Sequence, residues 1–210
     1  MLRALTSPRG MVTAPHHLAA QAGAGVLRDG GNAVEAMVAA AATIAVVYPH
    51  MNSIGGDGFW LISRPGQIPV GIDACGRAAG LATPLWYKKL GHGAIPSRGP
   101  LAANTVAGAV SGWKIALDRA GGRLPLARLL QDAIRYAREG TPVTQSQADY
   151  TGKFINELAR QPGFAPTFLR EGRPPQALSM QRFHALATTL DRLAQHGLDD
   201  FYRGDLARAM

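Results

Sequence analysis

The feature that most restricts the fold of this sequence is a tight corner between two helices, at residues 30–32. The first helix is predicted over residues 18–28, and Gly30 and Gly31 can end it because glycine adopts a positive φ without a Cβ clash. Asn32 can begin the second helix, since its side chain accepts hydrogen bonds from the first N–H groups of a helix. Glu35 stands three residues on, in the N3 place of a capping box.

The second helix is almost entirely apolar. Between Ala36 and Val47 only Thr43 is polar, so this helix is predicted to be buried on nearly all sides until Pro49 ends it. The run is too short to cross a bilayer, and residues 1–10 lack the apolar block of a signal peptide. These ten residues are expected to form a flexible N-terminus to one folded region, 11–210, and the cytoplasm is the expected compartment.

A β-hairpin is predicted next. Two β-rich runs flank a turn at residues 64–67, which places the hairpin at about residues 59–72. Residues 74–104 are rich in Gly and Pro and are predicted to form a long loop with one helical turn, and such loops often carry function. The second half is predicted to be helical, over residues 105–119, 125–139, 145–160 and 183–196 and again from residue 201.

Charge and cysteine content exclude several classes of protein. The net charge of +8 comes from scattered arginines, without the basic stripe and stacking aromatics of a nucleic-acid-binding surface. The single cysteine excludes an internal disulfide framework. The histidines lack the spacing of metal ligands, so neither a metal nor nucleic acid is expected as a partner.

Several motifs together resemble one known family. Residues 30–36 (Gly-Gly-Asn-Ala-Val-Glu-Ala), 54–62 (Ile-Gly-Gly-Asp-Gly-Phe-Trp-Leu-Ile), 136–140 (Tyr-Ala-Arg-Glu-Gly) and 200–204 (Asp-Phe-Tyr-Arg-Gly) occur in the order seen in the large subunit of the gamma-glutamyltransferase family of N-terminal-nucleophile hydrolases. The resemblance covers roughly residues 11–210. It implies an α+β fold, a fragment of an αββα hydrolase that is mostly helical with the hairpin in a sheet.

This resemblance also implies a reaction. Family members hydrolyse or transfer an amide or gamma-glutamyl group through a threonine at the start of a small subunit, because a threonine hydroxyl needs an adjacent base to become a good nucleophile. The matching junction would lie beyond Met210, so the chain is expected to be inactive alone and to need a small subunit as its partner. A small acidic amide is the implied substrate, and no cofactor is implied. The alternative is a non-catalytic truncated product or a separately encoded subunit.

The residues at the end of the hairpin are the first candidates for substrate binding. In the family's glutamyl transferases the matching segment resembles Asp-Phe-Arg-Glu, whose arginine binds the substrate's α-carboxylate, but Cys75 occupies that position here. Arg77, two residues later, either binds a carboxylate or is a solvated surface arginine. The departure favours relatives that act on other acidic amides, such as oxamate amidohydrolase-like or acylase-like members, over plain gamma-glutamyl transfer.

Three further interpretations concern the same region. Cys75 is either a reactive thiol with a pKa lowered by Arg77 or, as free cysteines more often are, a small buried or half-buried residue. Asn104 either caps the helix that follows or faces the substrate pocket, and capping is favoured. The glycines of residues 55–58 can cradle an anion, but close packing at a helix-to-strand corner is the favoured reading.

Overall fold

Most of the chain is helical. The computed structural model describes residues 6–102 and 105–209. Two small antiparallel sheets lie in these residues, β1 (Gly58–Ile62) with β2 (Val70–Ala74) and β3 (Thr141–Pro142) with β4 (Met180–Gln181). The predicted α+β class, mostly helical with one longer hairpin, is confirmed. The helices are α1 (His17–Arg28), α2 (Ala33–Val47), α3 (Pro84–Lys89), α4 (Ala109–Ala120), α5 (Leu126–Glu139), α6 (Gln145–Leu158), α7 (Phe164–Phe168), α8 (His184–His196), α9 (Asp200–Arg203) and α10 (Asp205–Ala209).

Helix α2 lies at the centre of the core, as its apolar sequence predicts. It packs against α1 on one side and α5 on the other, and α5 in turn packs against α8. The small side chains of α2 let these helices approach closely, and the leucines of α5 and α8 fill the remaining space. No helix of the described residues is long and apolar enough to span a membrane. The largest wholly buried core side chains are Val26, Val38, Val46, Val47, Val110, Leu129, Leu130, Leu190 and Leu193.

The corner before α2 forms as predicted. Gly30 has a φ of +87°, and the side chain of Asn32 accepts hydrogen bonds from the N–H groups of Val34 and Glu35 at 2.9 and 3.0 Å. Glu35 completes the capping box, since its carboxylate accepts a 2.7 Å hydrogen bond from the Asn32 N–H. The corner therefore turns the chain back so that α2 packs along α1.

The Glu35 carboxylate also makes a long-range contact. Its side chain is 0% exposed, and its second oxygen accepts hydrogen bonds from the N–H groups of Arg123 and Leu124, both at 2.7 Å, in the loop between α4 and α5. Burial acts to raise the pKa of this carboxyl, but the three backbone hydrogen bonds outweigh burial and lower it. One carboxylate thus joins the start of α2 to the loop that begins α5.

The hairpin has one covered and one uncovered face. Trp60 of β1 pairs with Ile72 of β2, and these side chains face α4. Phe59 and Leu61 alternate with them on the opposite face and are 72% and 80% exposed. The hairpin therefore presents apolar surface that nothing in the described residues covers.

Three predicted boundaries are corrected by the structure. The hairpin covers residues 58–74 rather than about 59–72. Helix α4 begins at Ala109 rather than Thr105, because Thr105 pairs as an extended residue with Ala78. The last predicted helix is divided into α9 and α10, because Asp200 accepts a hydrogen bond from the N–H of Asp205 and begins a new helical turn there.

We expect Glu35→Ala to lower the free energy of unfolding by about 3 kcal/mol, because three backbone N–H groups lose their acceptor in a buried site. Glu35→Gln should cost roughly 1–2 kcal/mol, since the amide oxygen can still accept from the loop while its NH₂ group opposes the Asn32 N–H. Urea unfolding followed by circular dichroism measures both values. Glu139→Gln, an exposed matched control, should change stability by less than about 0.5 kcal/mol.

The Glu35 contribution should depend on pH. Because the folded state lowers the pKa of this carboxyl from its ordinary 4.5, the stabilisation is complete above about pH 4.5 and is lost as the pH falls through the lower, folded-state value. The stability difference between the native chain and Glu35→Gln should therefore shrink at acidic pH. A difference that stays constant from pH 7 to pH 3 would contradict this role.

The uncovered face of the hairpin should bind a hydrophobic dye. We expect strong dye fluorescence from the 210-residue chain and a clear loss of it in the double variant Phe59→Ser, Leu61→Ser, since these side chains supply the exposed apolar area. Leu85→Ser is the matched control, because Leu85 is 64% exposed but lies on α3. Equal fluorescence from the native chain and the double variant would place the binding surface elsewhere.

Candidate functional site

Three segments that are distant in sequence meet at the end of the hairpin. They are residues 55–58 at the start of β1, residues 73–78 at the end of β2 and beyond it, and residues 105–109 leading into α4. The Gly56 carbonyl accepts hydrogen bonds from the N–H groups of Gly108 and Ala109, both at 2.9 Å. The Arg77 carbonyl accepts one from the Val106 N–H at 3.0 Å. We call this meeting point the hairpin junction.

Two glycines allow the backbones at the hairpin junction to approach so closely. A Cβ at Gly76 would overlap the Val106 carbonyl, and a Cβ at Gly108 would overlap the Ala74 carbonyl. Gly76 and Gly108 therefore serve backbone packing. An added Cβ at Gly55, Gly56 or Gly58 would meet no atom closer than 3.3 Å, so the packing reading of residues 55–58 stays a prediction.

The carboxylate of Asp57 organises the hairpin junction. One oxygen accepts hydrogen bonds from the Gly76 N–H at 3.2 Å and from the Thr105 hydroxyl at 3.0 Å. The other lies 3.5 Å from the Cys75 sulfur, within the range of a thiol hydrogen bond. The Gly76 amide and the Thr105 hydroxyl, in that order, are the main reasons that the pKa of Asp57 is lowered, so the carboxylate is charged at neutral pH.

Cys75 differs from both sequence-based readings of it. The residue is exposed rather than buried, because the segment after β2 runs along the surface. Its thiol donates a hydrogen bond to Asp57, and this bond raises the pKa of the thiol instead of lowering it. Cys75 is therefore a neutral thiol at physiological pH and a poor nucleophile.

Arg77 is exposed at the junction. Within the described residues it forms no ion pair, as is also true of other exposed arginines such as Arg160. The role of Arg77 in binding a carboxylate stays a prediction. Its backbone is held by the hydrogen bond from Val106. Asn104, the third predicted site residue, lies outside the described residues.

An open cleft of about 500 Å³ adjoins the hairpin junction. It is lined by residues 49–53, Gly56 and Asp57. His50 stands on its wall, with Nε2 2.9 Å from the Ser146 hydroxyl, and burial lowers the pKa of its imidazole. A larger cavity of about 670 Å³ is lined by Asn52 and Ser53 as well, but none of the predicted site residues lines it. Neither Cys75 nor Arg77 lines the smaller cleft, but Asp57 does, so this cleft is the one that adjoins the hairpin junction.

The chemistry available at the hairpin junction is binding rather than attack. Thr105 donates its hydroxyl proton to Asp57, but it is an internal residue whose nitrogen is a peptide amide and cannot act as a base. The described residues contain no group of three His, Cys, Asp or Glu side chains placed to hold a metal ion. The junction presents the exposed side chain of Arg77 and, at Asp57, one edge of the cleft.

Two important residues of this region were missed in the sequence. Asp57 was read only as part of a glycine-rich corner, and its partners lie 18 to 48 residues away. Tyr202 donates a 2.7 Å hydrogen bond to the Ala107 carbonyl and accepts one from the Ser111 N–H at 2.9 Å, which fixes the start of α4. The only available signal was that both residues belong to the motifs that carry the family resemblance.

Comparison with known proteins agrees with that resemblance. Residues 19–210 match the sequence model of the gamma-glutamyltranspeptidase family. The chain is 56% identical over 208 residues to the oxamate amidohydrolase proenzyme of Klebsiella pneumoniae, covering 97% of this chain and 39% of that protein. It is 42% identical to the glutathione hydrolase-like YwrD proenzyme of Bacillus subtilis, covering 99% of this chain and 39% of that protein.

Solved structures give the same result. The fold matches the gamma-glutamyltranspeptidase of Helicobacter pylori with a TM-score of 0.90 at 28% identity, over 99% of this chain and 60% of that one. The chain spans about 39% of the length of the first two curated relatives. This chain therefore belongs to the gamma-glutamyltranspeptidase family and corresponds to its large-subunit portion.

Proposed function

We propose that this chain forms the substrate-binding wall of an amidohydrolase that acts on a small acidic amide of the oxamate type. A threonine at the N-terminus of a small subunit would supply the nucleophile and its α-amine the base. The observation that supports the proposal is that the backbone of Arg77 is held at the hairpin junction, where Asp57 lines an open cleft, while its exposed side chain forms no ion pair within the described residues.

The residues at the junction favour a short acidic substrate. Cys75 takes the place where the family's glutamyl transferases resemble Asp-Phe-Arg-Glu, and the Cys75 thiol has no positive charge and already donates to Asp57. Arg77 is two residues further along an anchored backbone, and its planar guanidinium suits the two oxygens of a carboxylate. High identity to a protein named for oxamate hydrolysis supports the same substrate class.

The uncovered face of the hairpin supports a partner subunit. Phe59 and Leu61 form an apolar surface on a two-stranded sheet, and such a sheet is marginally stable until further strands or another layer cover it. We propose that this face contacts the subunit that carries the threonine. The alternative, a chain without any catalytic role, makes no use of Arg77.

We expect residues 1–210 alone to release no ammonia from oxamate, because the described residues offer no nucleophile with an adjacent base at the junction. A hybrid proenzyme, with residues 1–210 replacing the matching segment of the Klebsiella relative, should hydrolyse oxamate. Ammonia release is measured for both, against the unaltered relative and a heat-inactivated control.

Two results would contradict this proposal. Turnover by residues 1–210 alone would show that the nucleophile is within the chain. A hybrid that folds and undergoes the relative's processing, yet hydrolyses neither oxamate nor a gamma-glutamyl anilide, would favour the non-catalytic alternative. If the hybrid prefers the anilide to oxamate, its substrate class is gamma-glutamyl compounds and the proposed oxamate-type substrate is wrong.

In the active hybrid, Arg77→Ala should lower kcat/KM for oxamate about ten- to a hundredfold, because a bidentate charge-assisted contact is worth roughly 1.5–3 kcal/mol. Arg77→Lys should recover only part of this loss, since an ammonium group does not reproduce the planar fork. Arg160→Ala, a change of another exposed arginine far along the chain, is the matched control and should leave kcat/KM unchanged. An unaltered kcat/KM in Arg77→Ala would show that Arg77 does not bind the substrate.

A further inference from the structure

We propose that Asp57 is the positioning residue of this substrate site. Its carboxylate fixes the segment from Cys75 to Arg77 against Thr105 and so determines where the Arg77 guanidinium stands. The catalytic consequence rests on the proposed function, whereas the contacts themselves can be tested in the chain alone.

The contacts of Asp57 are those of an anchor. Both carboxylate oxygens are used, and the donors come from two separate segments: Gly76 and Cys75 after β2, and Thr105 before α4. The Gly76 N–H lies one peptide unit before Arg77, so the carboxylate acts directly on the backbone that carries the guanidinium. The Val106 N–H holds the other side of Arg77 through its carbonyl.

Because Asp57 is exposed, its substitution should affect the local segment more than the global stability. Asp57 and Cys75 lie at the surface, so water can replace the lost hydrogen bonds and the fold survives without them. The helical core, centred on α2, is remote from these contacts. Loss of Asp57 should therefore loosen the segment that carries Arg77 and weaken substrate binding, with little effect on global stability.

The negative charge of Asp57 also affects a measurable property, the pKa of the Cys75 thiol. The thiol of Cys75 donates to this carboxylate, and this contact is the largest cause of its raised pKa. Asp73 acts on the thiol in the same direction but more weakly, and its carboxylate accepts a hydrogen bond from the Cys75 N–H at 3.0 Å. Because Cys75 is the only cysteine, alkylation of the chain reports this thiol alone, and the Asp57 contact is the largest influence on it.

The first test measures alkylation of Cys75 by iodoacetamide as a function of pH in the 210-residue chain. Asp57→Asn keeps an oxygen that accepts from Gly76 and Thr105 but removes the charge, so the thiol should ionise at lower pH and react about three- to tenfold faster at pH 8. Asp73→Asn, the matched control, should have a smaller effect. An unchanged pH profile in Asp57→Asn, or a larger change in Asp73→Asn, would overturn the proposed contact.

The second test measures kinetics in the hybrid enzyme. Asp57→Ala should raise KM for oxamate about tenfold while kcat changes by less than about threefold, and Asp57→Asn should restore most of the binding because it keeps the acceptor oxygen. Equal loss in both variants, or no change in KM, would overturn the positioning role. An inactive hybrid would count against the proposed function, whereas the alkylation profile would still decide the Asp57 contact.

Discussion

The structure depends on the buried carboxylate of Glu35. An ionised group is costly to bury, and here three backbone N–H groups, two of them about 90 residues further along the chain, compensate it. The contact fixes the corner between α1 and α2 to the loop between α4 and α5. Helix α2 can therefore be surrounded by α1, α4 and α5, and its apolar sides need no other cover.

The site follows from this arrangement through α4. Once α4 is held beside α2, its N-terminus meets the end of the hairpin, and the glycines at positions 76 and 108 let the two backbones touch. Tyr202 adds a hydrogen bond on the far side of the same helix start. The segment that carries Arg77 is thus held by backbone contacts and by the Asp57 carboxylate, and the Arg77 side chain is exposed.

On the proposed function, the charges at the hairpin junction would adapt a family scaffold to another acidic amide. The Asp57 carboxylate is negatively charged and the Cys75 thiol is neutral. A substrate carboxylate close to these two residues would therefore be repelled by Asp57 without compensation from Cys75. The positive charge of Arg77 lies two residues away. On this proposal, a short acid would bind at Arg77 rather than at position 75, and this would require only a different placement of charge along one loop, with no change in the fold.

The sequence by itself determined the local elements and the family. The apolar period of α5, the capping box at Asn32 and the motif order are local signals, and they were sufficient for the long helices, the β1–β2 hairpin and the resemblance. They did not predict α7 or the β3–β4 pair. The boundary at Thr105, the exposure of Cys75 and the role of Asp57 were decided only by the tertiary structure. Each depends on a partner between 18 and 48 residues away, and hydrogen bonds over such separations exist only after the core has brought the segments together.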